Sequence, residues 1–359
     1  MDRASKKSVE SFAEPLILGG EQFLPGQRGL VQMEVGHLIT HELVRMPVHV
    51  IRGKLPGPRM LVCAGIHGDE LNGVETIRRL VKMRMINRLR GDIIAIPVVN
   101  IPAFVARSRY LPDRRDLNRL FPGFSEGSFG ARLAKILVTD IVSQCDYGID
   151  LHTGAVNRPN LPQIRMSPKL PACSELAVAF GAPVALESEL RDGSLRATME
   201  ALEKPMLMFE GGEALKLDAH SIRFSLQGII NVLRHLEMLP AEKTERRKRP
   251  VVISKESYWA RAPIGGIITP LVALGKAVTP ETPLAFISDP FGSKESHVYP
   301  KAEGVVIGRT NLGITDEGDG LFHIAVTRNP DMAESRIRRS STELSERDDH
   351  PVSDEPLLD

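Results

Sequence analysis

Five short apolar runs, each closed by turn residues, limit what this chain can fold into: 59–65 (RMLVCAG), 92–99 (DIIAIPVV), 147–151 (YGIDL), 183–187 (PVALE) and 205–210 (PMLMFE). Runs this brief and this continuous read as strands buried on both faces. Helical periodicity fills the intervals. Residues 73–85 set Val74, Ile77, Leu80 and Val81 on one face, with Asn72 as N-cap and Glu75 at N3. Residues 130–144 set Leu133, Ile136, Leu137 and Ile141 on another, and 172–181, 194–203 and 218–238 carry the same period. Strands alternating with helices predict an α/β fold, a mixed, mostly parallel sheet flanked by helices.

The pattern changes near residue 240. PAEKTERRKRP is polar and charged, and short β-like runs broken by Gly and Pro follow it. Those runs repeat weakly: PIGGII, Gly275 and PLAFI, then AEGVVI, Gly313 and GLFHI. Two such halves predict a small all-β barrel or flattened sandwich. The expected division is an N-terminal segment (1–45), an α/β domain (46–240), a linker (241–249), a β-barrel-like C-terminal domain (250–327) and a disordered tail (328–359).

Charge excludes some classes of function. The 46 basic and 45 acidic residues nearly cancel, so neither nucleic acid nor an acidic solvating tail is indicated. Cys63, Cys145 and Cys173 are far apart in apolar surroundings and read as buried thiols of a reducing compartment. MDRASKKSVESFAEP lacks the apolar stretch of a secretory signal, and no run suits a membrane span. The expected location is the cytoplasm.

Four stretches carry chemistry. AGIHGDELNG leaves a strand and at once presents His67 and Glu70 in a glycine-rich turn. Alone, His-x-x-acid is more often a hydrogen-bonded polar pair than a metal claw. DLHTG places His152 at a second strand end, and open α/β sheets bind ligands at such ends. Two histidines and a carboxylate are a ligand set of catalytic zinc. RYLPDRRDLNRLFPG offers Arg109 to polarise a carbonyl and Asn118 with Arg119 to clamp a carboxylate, or else a solvated charge cluster. In MLMFEGGE, Glu213 is the better helix cap, which leaves Glu210 available as a general base.

In this order the four stretches resemble the succinylglutamate desuccinylase/aspartoacylase family, the zinc carboxypeptidase-like (M14-type) deacylases, over roughly residues 45–240. The resemblance implies one Zn2+ per chain on His67, Glu70 and His152. It matches Asp116, Asn118 and Arg119 to the family's Asp-x-Asn-Arg motif, Arg109 to its preceding arginine and Glu210 to its catalytic glutamate. Asp116 is then expected to accept the free imidazole N–H of His67. The implied function is a zinc-dependent amidohydrolase that removes an acyl group from an N-acyl amino acid or related small carboxylate. The alternatives are a metallocarboxypeptidase acting on a short peptide and a non-catalytic binding protein on the same fold. The C-terminal halves resemble a biotinyl/lipoyl-type barrel and are expected to pack beside the cleft or to serve as a homo-oligomer contact. Arg165, in QIRM, is a candidate for reading an acidic acyl group.

Overall fold

The computed structural model describes residues 14–241 and 251–345. Residues 242–249 of the expected linker and 346–359 of the expected tail lie outside them. β1 (Leu16–Leu18) and β2 (Glu21–Phe23) pair only with each other. The main sheet begins with β3 (Arg28–His37), β4 (Leu43–Arg52), β5 (Leu55–Ala64), β6 (Arg90–Ile96), β7 (Tyr147–Gly154), β8 (Asn160–Met166), β9 (Val184–Glu187) and β10 (Met206–Glu213). Its central order is β8-β10-β7-β5-β6-β4-β3. β10, β7, β5 and β6 run parallel, with antiparallel neighbours β8 at one side and β4 at the other.

The central strands are apolar through their middles because helices cover both faces. Along β5, Met60, Val62 and Ala64 enter one core, while Leu61 and Cys63 enter the other. β6 splits in the same way, with Ile93 and Ala95 opposite Ile94 and Ile96. The first core is closed by helices α1 (Leu71–Leu80), α4 (Pro171–Phe180) and α6 (Ala219–His235). The second lies under α3 (Phe129–Ile136) and α5 (Leu195–Ala201), and the short α2 (Ile101–Val105) follows β6. A two-residue side-chain period between two apolar layers keeps the middle of these strands apolar and leaves Asp150, His152 and Glu210 toward the carboxyl ends of β7 and β10.

Several expectations need correction. β4 straddles the boundary set at residue 45, and β3 pairs with it over its whole length, so 28–52 belongs to the main sheet. Asn72 does not cap α1. It lies in the first turn, where Nδ2 donates to Gly211 O at 3.0 Å and Oδ1 accepts from Asp218 N at 2.9 Å. Glu213 does not cap α6 either; Asp218 does, accepting from Ser221 N at 2.8 Å. Part of the tail expected to be disordered is helix α7 (Pro330–Ser345). Ala333 and Ile337, four residues apart, form a buried stripe in a charged sequence, and Glu334 accepts from Lys276 Nζ and Ala277 N.

The C-terminal strands form two sheets around one apolar core containing Tyr258, Ile268, Ile287, Val306 and Phe322. The first half-repeat gives the pair Gly266–Pro270 with Ala285–Ser288, in a separate four-stranded sheet. The second gives Gly304–Arg309 with Gly320–Val326, which continues the main sheet through Gly308 opposite Asn160. This region is therefore continuous with the α/β core and not a barrel standing apart. All three cysteines are buried and unpaired, and no described helix is long and apolar enough to cross a membrane.

Leu61 is fully buried, so Leu61→Ala is expected to destabilise the fold by about 2–5 kcal/mol. Ile39→Ala, at a fully exposed position, should stay within about 0.5 kcal/mol, both measured by urea unfolding.

Candidate metal centre and active site

The turn after β5 explains its own glycines. Gly65 has a φ of +63°, and a Cβ there would sit 3.0 Å from Val98 Cα. At Gly68 a Cβ would fall 2.0 Å from the Ala103 carbonyl carbon. The chain can therefore fold tightly over the end of the sheet and turn His67 and Glu70 inward. His152 comes from β7, the next strand, and Glu210 lies in register beside it on β10. The ladder then becomes irregular between Glu210 and Glu213, as strands often do beside active sites.

His67, Glu70 and His152 form one buried cluster. Glu70 Oε1 lies 2.7 Å from His67 Nδ1, and Oε2 lies 2.8 Å from His152 Nδ1. The two Nδ1 atoms are 3.2 Å apart, so both rings turn the same nitrogen to one point. The far nitrogens are held as well: His67 Nε2 by Asp116 at 3.1 Å and His152 Nε2 by Asp150 at 2.7 Å. Thr153 N donates to Glu70 Oε2, and Arg109 reaches Glu70 Oε1 at 3.2 Å and Asp116 Oδ2 at 3.1 Å. Three donors within 4.8 Å of one another, each imidazole backed by a carboxylate, can hold a divalent metal.

Electrostatics follow the contacts. Burial alone would raise Glu70, but the two imidazoles hold it far below the usual carboxylate range. Burial likewise opposes charge on the rings. Glu70 and Asp116 outweigh it at His67, as Asp150 and Glu70 do at His152, so both imidazoles are raised. Asp116 is depressed despite its burial, chiefly by His67 and then by Arg109.

The cluster opens into a cavity of about 1010 Å³ that also reaches Arg109, Asn118, Arg119 and Glu210. Arg165 lines it too, while Asp116 holds His67. Their individual situations differ. Asn118 is buried and its Oδ1 is fixed by Leu195 N at 3.0 Å, whereas Arg119 is exposed and bonds the Asn118 carbonyl. Arg165 does not project freely toward an acyl group; it is paired with Glu210, Nε to Oε1 at 3.0 Å.

Three further residues belong to the site. Asp150 precedes His152 by two on one strand, the spacing that puts both on the same face, and this signal was readable in DLHTG. Asn160 steadies Glu210 from β8 at 2.7 Å. Arg196, on α5, is 5% exposed and bonds Ser188 Oγ and the Glu189 carbonyl. Burial, reinforced by Arg165, lowers its guanidinium to about 10. The C-terminal strands supply the remaining wall, with Ser257, Trp259 and His323.

A mixed sheet with two histidines and one carboxylate gathered beyond its parallel strands offers the ligand set that metal-dependent hydrolases use. The family model for the succinylglutamate desuccinylase/aspartoacylase catalytic domain matches residues 56–236, and the chain belongs to that family. It is 29% identical over 295 residues to the N-alpha-acetyl-L-2,4-diaminobutyric acid deacetylase of Halomonas elongata, covering 79% of this chain and 86% of the relative. The product-bound ectoine utilization protein EutE (DoeB) of Ruegeria pomeroyi superposes with a TM-score of 0.75 at 25% identity, over 84% of this chain and 95% of that one. A succinylglutamate desuccinylase from Silicibacter sp. gives 0.73 at 26% identity, over 84% and 94%.

Two outcomes are expected. Asp150→Asn should weaken zinc binding about 10–100-fold in a chelator competition. The raised imidazole values stabilise the metal-free fold below the ordinary value of 6.5, and that contribution is lost as pH rises through the raised values. Metal requires neutral rings, so the gain in Tm on adding zinc to stripped protein should grow from about pH 6 to about pH 8.

Proposed function

We propose that the protein is a zinc-dependent deacylase that hydrolyses the amide of an N-acyl amino acid, with an N-acetylated diamino acid as the favoured substrate. The meeting of His67, Glu70 and His152 at one point carries this reading. Zinc held there supplies Lewis acidity, polarising a carbonyl and lowering the pKa of a water toward about 7. Every other part falls to side chains of the chain itself. Glu210 takes a proton from the attacking water and returns it to the departing nitrogen. Arg109 brings positive charge to the carbonyl oxygen as it becomes anionic. Asn118, Arg119 and Arg196 orient the substrate carboxylate, with the buried Arg196 the strongest anchor because its guanidinium bonds Ser188 Oγ and the Glu189 carbonyl and makes no ion pair among the described residues.

The amine side of the substrate is read from the cavity's acids. Glu187, Glu189, Asp192 and Glu256 also line it, beside Arg191 and Lys255, and none of the four acids makes an ion pair among the described residues. A cavity with a buried guanidinium and unpaired acids suits a ligand carrying both a carboxylate and an ammonium. The Halomonas relative is named for a substrate of that kind.

Wild-type protein should hydrolyse N-α-acetyl-2,4-diaminobutyrate with a higher kcat/KM than N-acetylaspartate, N-succinylglutamate or short peptides. Chelation and Glu210→Gln should each abolish turnover, Glu210→Gln costing at least about 10²-fold in kcat. Activity that survives chelation would refute the zinc mechanism, and preference for the succinyl compound would refute the substrate.

A further inference from the structure

Glu210 is held by one guanidinium and one amide, and a second guanidinium lies near. Arg165 Nε approaches Oε1 to 3.0 Å, and Nη2 donates to Oε2 at 3.2 Å. Asn160 Nδ2 donates to the same Oε2 at 2.7 Å. The fork is imperfect: Nε is buried yet makes no aligned hydrogen bond, so one bond does the holding where an ideal pair has two. Arg196 lies close enough for its charge to feel that of Arg165. Its own Nε is buried without a partner. Arg165 and Arg196 both line the cavity, and Glu210 and Glu200 only partly offset the charge on Arg196. Uncompensated buried charge is costly, and an entering anion would relieve it.

Arg165 faces both oxygens of Glu210, donating to Oε2 and standing 3.0 Å from Oε1, so it crowds the carboxylate that is to take the water's proton. We propose that Arg165 is a positioning residue that changes partners: it holds Glu210 until a substrate carboxylate arrives, then passes to that carboxylate beside Arg196 and leaves Glu210 open to the water. The proposal rests on the deacylase reading above. It makes the substrate's acid group a requirement for turnover and not for affinity alone.

Trp259 is the chain's one tryptophan and lines the same cavity, so its fluorescence reports occupancy without turnover. The probes are 2,4-diaminobutyrate, the expected product, and its carboxamide. In the Glu210→Gln protein Arg165 has no rival anion, so the acid should bind about tenfold tighter than to wild type, and the carboxamide no tighter. The gain should vanish in Glu210→Gln/Arg165→Met. Turnover gives a second reading. Replacing the substrate's carboxylate by a carboxamide should lower kcat in wild type and in Arg165→Lys, but no longer in Arg165→Met. A merely structural arginine would slow both substrates alike. No tightening in Glu210→Gln, or a carboxylate effect confined to KM, overturns the proposal. If wild type deacylates nothing, the function assigned above fails, while the binding comparison still decides the role of Arg165.

Discussion

The Glu70 carboxylate is the interaction on which the site depends. It is almost fully buried, and it accepts from two imidazoles, one backbone amide and one guanidinium. A buried anion survives only with such company. The donors come from the turn after β5, from β7 and from the loop carrying Arg109, so one carboxylate sets the mutual positions of three segments. Asp116 and Asp150 extend the same logic outward by fixing the far side of each ring. The cluster is a chain of alternating charge that ties the turn after β5 and the Arg109 loop to strand β7.

The parts of the fold legible in the sequence are those decided by one chemical character. Strands buried on both faces show as unbroken apolar runs, and α1, α4, α5 and α6 begin and end within a few residues of their periodic patterns. β8 does not show, because NLPQIRM spends Asn160, Gln163 and Arg165 on partners elsewhere: Glu210 for two of them and the Ile307 carbonyl for the third. Asn72 and Glu213 mislead for a related reason. Each has the right type and place to cap a helix, and each is claimed by a partner far away in sequence.

In the site, His67, Glu70, His152 and Glu210 stand out through their position at strand ends. Arg196 does not. An arginine on a helix reads as a solvated charge until the fold buries it, and burial is a property of the loop at Ser188–Glu189 and the neighbouring strands together. The same holds for Trp259 and His323, which reach the cavity only because the second half-repeat docks onto β8.

That docking brings two backbones closest at one position. At Gly308 a Cβ would come within 2.7 Å of Asn160 Oδ1, the amide whose nitrogen steadies Glu210. The hydrogen atom that takes the place of a side chain there keeps the far end of the chain from jostling the reacting carboxylate. The chemistry thus constrains a residue in the β-rich half that touches neither water nor substrate.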